Sequence, residues 1–192
     1  MDRILIAPDS FKGSLPAATF CRIVAGAAAR VEPALETIAL PVADGGEGTV
    51  DALLAALGGE RVEQVVIGPE FAPVGSFFGV LPDGRAVLET AAAAGPGLLA
   101  GRPDPLRTTT LGVGQLIAAP LDRGCREILL GLGGSATTDG GAGAAAALGA
   151  RLLDSRGAEI PPTGEGLGRL AALDRSEEHT SELQSPNTNS YA

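Results

Sequence analysis

Apolar positions fall into two alternating rhythms along the first 58 residues. RILIAP (3–8) is a short unbroken apolar run closed by proline, the pattern of a buried strand. Phe20, Ile23, Val24 and Ala27 then recur at helical spacing, with Ser14 placed to cap that helix and Pro16 in its first turn. LETIALPVADGG predicts a second strand ending near Val42 and a glycine turn. GTVDALLAALGG predicts a helix stopped at Gly58 and Gly59.

From there the rhythm changes. RVEQVVIG, PVGSFFGVL and RAVLET are three short β-rich runs, the last two separated by the hairpin signal PDG. TAAAAGPGLLAGRPDPLRTTT reads as an alanine helix and a proline-broken loop. The α/β rhythm then returns: a helix in TTTLGVGQLIAAPLDRGC, a strand in REILLGLGG, and a loop feeding a helix in SATTDGGAGAAAALGA. A further short strand lies in RLLDSRGAEI, and PPTGEGLGRLAALD predicts another loop and helix. The pattern predicts an α/β fold in which residues 1–58 and 105–174 form one α/β domain, 59–104 a smaller β-rich insertion, and 175–192 a non-native polar tail.

Composition narrows this picture. The core must be aliphatic and alanine-rich, because hydrophobic residues make up 45% of the chain and aromatics only 3%. A net charge of −9 without a basic cluster argues against nucleic-acid binding, which needs clustered Lys and Arg to neutralise phosphates. No run reaches the ~18 apolar residues of a membrane span, and MDRILIAP does not read as a signal peptide. Cys21 and Cys125 lack metal-site spacing and read as buried small hydrophobes in a reducing compartment. The expectation is a cytoplasmic protein of unassigned oligomeric state. Thirteen of the 14 basic residues are arginine, which makes the single lysine, Lys12, conspicuous as a compact cation.

In α/β sheets, ligands bind where loops leave the carboxyl ends of the strands. Three loops are predicted there. APDSFKGS (7–14) offers Asp9, Ser10 and Lys12. VADGGEGT (42–49) offers Asp44 and Glu47 around Gly45 and Gly46, although acids at that spacing also imitate a capping box. GLGGSATTDGGAG (131–143) offers Gly133, Gly134, Gly140 and Gly141, with Ser135, Thr137 and Asp139 among them. Glycines let backbone N–H groups turn toward an anion, and a following helix start adds partial positive charge.

Outside the tail there is no histidine and no tyrosine. A general base must then be a carboxylate, Lys12 or cysteine, and Ser-His-Asp hydrolysis and His-based metal sites drop out. Carboxylates, glycine loops and one lysine suit phosphoryl transfer, which depends on positioning and charge stabilisation. No Walker A pattern occurs. Two rivals are an NAD(P)-dependent oxidoreductase, with Gly131, Gly133 and Ala136 as a loose dinucleotide fingerprint and Asp154 as ribose acid, and a non-catalytic α/β binding module.

IAPDSFKGSL, LPVADGGEGTVDAL, TTTLGVGQLI and GLGGSATTDGGAGAAAALGA resemble, in order and spacing, the signatures of the type I glycerate kinases of bacteria, over about residues 3–174. The resemblance implies ATP-dependent, Mg²⁺-assisted phosphorylation of D-glycerate by a two-domain enzyme, a Rossmann-like parallel sheet with helices on both faces plus a smaller domain. The catalytic roles are inferred from the residues themselves: Asp9, Lys12 and Asp44, with Asp44 or Asp9 as base or metal ligand and Lys12 steadying the transferred phosphoryl. Ser10, Gly45, Gly46, Glu47, Gly133, Gly134, Ser135, Thr137, Gly140 and Gly141 would bind substrate and phosphates, and Asp139 and Asp44 would hold Mg²⁺. Family members are roughly twice this length, so the chain is expected to be a C-terminally truncated fragment with little activity alone.

The last 18 residues, RSEEHTSELQSPNTNSYA, carry His179 and Tyr191 and almost no apolar content. RSEEHTSELQS resembles one translated frame of a sequencing-library adapter. On that reading His179 and Tyr191 are not site residues, and the segment is expected to be disordered.

Overall fold

The computed structural model describes residues 2–11, 13–102 and 104–175. Lys12, His179 and Tyr191 lie outside them, as does the tail beyond Arg175. The first unit is β1 (Arg3–Ile6), α1 (Ala17–Val31) and β2 (Glu36–Ala39). The two strands pair in parallel, from Arg3 with Glu36 to Ile6 with Ala39. Helix α1 covers one face, where the buried Cys21 thiol donates to the Ile6 carbonyl. On the other face Leu5 and Ile38, neighbours in register, are exposed. The Ser14 cap is not made: the helix starts from extended Pro16, and the Ser14 hydroxyl donates to the Phe11 carbonyl instead. A tight Phe11–Leu15 turn takes Ser14 away from the helix end.

Helix α2 (Thr49–Leu57) leads into β3 (Glu60–Ile67), β4 (Pro73–Val80) and β5 (Ala86–Glu89). The PDG hairpin forms as predicted: Gly84 N–H donates to the Leu81 carbonyl and Leu81 N–H to Arg85. The alanine helix is a single turn, α3 (Ala91–Ala94), because Gly95 and Pro96 leave it no continuation. Then come α4 (Leu111–Asp122), β6 (Ile128–Gly131), α5 (Ala142–Ala147), β7 (Arg151–Leu153), α6 (Gly164–Leu167) and β8 (Ala172–Asp174). Residues 172–174, expected to be helical, are a strand antiparallel to β7.

The main sheet has the order β3-β4-β5-β6. The first three strands are antiparallel, and β6 joins β5 in parallel, Ala86 facing Ile128 and Glu89 facing Gly131. Segment 59–104, expected as a separate insertion, therefore shares its sheet with β6. The α/β class holds, with parallel pairing at β1–β2 and β5–β6; the described strands lie in three sheets.

All four residues of β5 are buried, because helices cover both faces of the main sheet. Val66, Phe78, Ala86 and Leu88 pack against Ala93, Ala94, Val113 and Leu116 of α3 and α4. Opposite, Val87 and Leu81 pack against Val50 of α2, flanked by Leu53 and Leu54. Burying these side chains contributes roughly 1.5–3 kcal/mol for each large aliphatic or aromatic. No helix among the described residues is long and apolar enough to cross a membrane.

Candidate active site

The β5–β6 pairing sets the site. Both strands end at the same level, Glu89 beside Gly131, and the chain continues from each into the functional loops. Thr90 N–H donates to the Gly131 carbonyl at 2.8 Å, extending the register by one step. The Gly133 N–H then donates to the Gly45 carbonyl at 2.8 Å. Loops 42–48 and 131–134, some 85 residues apart in sequence, thus meet backbone to backbone. Glycine is what permits the contact: a Cβ on Gly133 would sit 2.8 Å from Gly46 N and Cα, and one on Gly131 would collide with the Gly45 carbonyl.

Asp44 and Glu47 are exposed on the first of these loops. One Asp44 oxygen, Oδ1, accepts the Gly46 N–H at 3.2 Å, and Oδ2 has no hydrogen bond among the described residues. Gly45 and Gly48 both adopt φ of 91°, a left-handed conformation that side chains disfavour. The capping box suggested by Asp44 and Glu47 does not form. Gly48 is the cap residue of α2, and the acceptor comes from far away in sequence. Glu89 accepts the Gly48 N–H on Oε1 at 3.2 Å and the Val50 N–H on Oε2 at 3.0 Å. Sequence reasoning missed Glu89; its one signal is an acid ending an otherwise apolar run, AVLE. Burial pushes its carboxyl above the usual glutamate range, against the pull of the N–H donors from Val50 and Gly48.

In the third loop, Ser135 and Thr137 are linked hydroxyl to hydroxyl at 2.7 Å and stand at the surface. Gly134, Gly140 and Gly141 all have positive φ, of 72°, 59° and 83°. Asp139, expected to hold Mg²⁺, is surrounded by donors of its own chain. It is 1% exposed. Oδ2 accepts the Thr110 N–H, the Thr110 hydroxyl and the Gly143 N–H at 2.8, 2.8 and 3.0 Å, and Oδ1 accepts the Gly141 N–H at 3.2 Å. From this buried position the carboxylate joins the starts of α4 and α5.

The first loop is tied in more loosely. Val42 N–H donates to the Pro8 carbonyl at 3.0 Å, which carries loop 7–14 alongside loop 42–48. Asp9 is half-buried and accepts the N–H of Ser10. Asp154, the ribose acid of the dinucleotide alternative, instead accepts the N–H groups of Arg156 and Ala158 in the turn after β7, in a sheet separate from β6.

The chain matches the glycerate kinase family over residues 4–187. It belongs to the glycerate kinase family. It is 51% identical over 174 residues to a glycerate kinase of Bacillus subtilis (strain 168), covering 90% of this chain and 46% of that one. It is 44% identical over 174 residues to a glycerate 2-kinase of Escherichia coli (strain K12), covering 90% and 46%. A crystal structure of a glycerate kinase 2 candidate from Salmonella typhimurium LT2 superposes with a TM-score of 0.72 at 43% identity, covering 90% of this chain and 47% of that one. The chain thus spans about half the length of the curated relatives it matches. The family match runs past Asp174 into residues outside the described part.

Among the described residues no three His, Cys, Asp or Glu side chains converge as a ready-made metal cage. The donor set still fits Mg²⁺, which usually takes one or two carboxylates and fills its remaining positions with water and substrate phosphates. Asp44 is an exposed carboxylate on the loop that meets the glycine loop 131–134.

Proposed function

We propose that the protein transfers the γ-phosphoryl group of ATP to a hydroxyl of D-glycerate with Mg²⁺, and that the 192 residues alone turn over poorly. The observation that carries this reading is the bond from Gly133 N–H to the Gly45 carbonyl, which sets an exposed carboxylate loop against a loop of glycines and hydroxyls. Open glycine backbone, with Ser135 and Thr137, suits phosphate oxygens. Asp44, or Asp9 on the adjoining loop, accepts the glycerate hydroxyl proton as the new O–P bond forms and the bond to ADP breaks. Mg²⁺, when bound by Asp44 and phosphate oxygens, would supply charge neutralisation. Ser10, Gly45, Gly46, Glu47, Gly133, Gly134, Gly140 and Gly141 would bind substrate and phosphates, and Lys12 would steady the transferring group. The 2-hydroxyl is the acceptor named for the Escherichia coli relative, and we take it for this protein too. Buried free thiols at Cys21 and Cys125 accord with a cytoplasmic setting.

A thermal-shift assay and an ADP-release assay test the reading. Mg-ATP should raise the melting midpoint and NAD(P)H should not. The reverse result would overturn it in favour of an oxidoreductase. Ordinary turnover by the 192 residues alone would overturn the claim that they turn over poorly.

A further inference from the structure

Glu89 is 2% exposed, carries no guanidinium partner among the described residues, and has no place in the phosphoryl-transfer scheme above. A buried carboxylate is costly unless donors surround it. Its donors are the N–H groups of Gly48 and Val50, where the loop bearing Asp44 turns into α2. The positive end of that helix favours the negative charge. Glu89 is also the last residue of β5 and the register partner of Gly131, whose loop holds the Gly45 carbonyl through Gly133. Both ends of the Asp44 loop are therefore referenced to one point of the sheet. At one end is the bond from Gly133 to Gly45, and at the other the two bonds to Glu89.

We propose that Glu89 is a positioning residue: it clamps the Gly48–Val50 end of the loop and so fixes Asp44 opposite the glycine loop 131–134. The proposal rests on the functional reading for what Asp44 does, but the clamp stands on geometry alone. Without it, the loop would keep the bond at Gly45 and the Thr49 N–H and hydroxyl bonds to the Gly46 carbonyl, but would lose the two bonds that tie Gly48, whose left-handed backbone has no Cβ to restrict it, and Val50 to the sheet.

The test uses the full 192-residue chain, isotope-labelled for NMR. In the unmodified protein, a scalar coupling across the hydrogen bond should link the Val50 amide nitrogen to Cδ of Glu89. Its absence, in spectra that resolve the β5–β6 backbone couplings, overturns the clamp. In Glu89→Gln the side-chain amide keeps one acceptor and turns a donor toward the other N–H. Amide exchange at Gly48 and Val50 should then quicken about tenfold or more. The Gly45 and Gly46 amide resonances should shift, while Leu88 and Leu130 keep their protection. A residue that merely stabilised the sheet would loosen β5 and β6 equally, and that outcome overturns the proposal, as does unchanged exchange at Gly48 and Val50. If the variant does not fold, the coupling in the unmodified protein decides. None of these measurements uses ligand, so failure of Mg-ATP to bind would count against the functional reading alone.

Discussion

The Asp139 carboxylate takes both the backbone N–H and the hydroxyl of Thr110, each at 2.8 Å, in a site closed to solvent. The same hydroxyl accepts the Ala144 N–H at 3.0 Å, so the pair joins the beginnings of α4 and α5. Asp139→Asn keeps one carbonyl oxygen but turns an NH₂ toward a buried N–H. It should lower stability by about 1–3 kcal/mol. Asp139→Ala should lower it further, since the donors of Thr110, Gly141 and Gly143 then lose their acceptor together. Urea midpoints against the exposed control Asp104→Asn measure both, and equal midpoints would show that the bracket does not matter.

Gly133→Ala tests the contact between the two loops. The added methyl meets Gly46 backbone at 2.8 Å, and backbone cannot rotate aside as a side chain would. Overpacking of this kind typically destabilises by about 1–3 kcal/mol. Gly101→Ala adds a methyl to open space and should leave the thermal midpoint almost unchanged. Loss of amide protection at Gly133 in the first variant, with Leu88 still protected, would place the damage at the loop contact.

Glu89 gives stability a pH dependence of definite sign. Its folded carboxyl titrates above the usual glutamate range, chiefly through desolvation. The folded state therefore holds the proton more readily than the unfolded chain does. This group's contribution to stability is fully present below the unfolded value and is lost as pH rises through the raised folded value. Subtracting the stability–pH curve of Glu89→Gln from that of the unmodified protein should leave a difference that declines from about pH 4.5 upward. A difference that rises over that range contradicts the shift.

The strand runs, α1, α2, α4 and the PDG hairpin were legible because each is written in local periodicity and turn residues. So were the glycine loops at strand ends, since their composition marks them without reference to anything distant. The caps were not legible. Asp44 and Glu47 have the right spacing for a local cap of α2, yet the acceptor is Glu89, delivered by a strand that pairs with β6. The bonds of Asp139 to Thr110 were not legible either, because an acid among glycines says nothing of its burial or of partners 29 residues away. Strand β8 was missed for a related reason: Leu170–Asp174 favours helix in isolation, and only pairing with β7 makes it extended. Long-range pairing decided each case.

Asp44→Asn bears most directly on the chemistry. Asp44 is exposed, and its one bond among the described residues is the Gly46 N–H on Oδ1 at 3.2 Å. Asparagine can keep that bond through its carbonyl, so the loop and the fold should persist, with a thermal midpoint within a degree or two of the parent by the usual behaviour of surface substitutions. What asparagine cannot do is accept a proton or present a charged oxygen to Mg²⁺. Measured turnover should fall about 10²–10⁴-fold, the range lost with a positioned general base. The two roles open to Asp44 separate on titration with metal. If it holds Mg²⁺, the variant should need more Mg²⁺ for half-maximal rate and recover part of its turnover at saturation. If it is the base, added Mg²⁺ should restore nothing, and the acid limb of the rate–pH profile should move. Unchanged turnover at all Mg²⁺ concentrations would remove Asp44 from the mechanism and leave Asp9, on the loop bonded to Val42, as the carboxylate to test next.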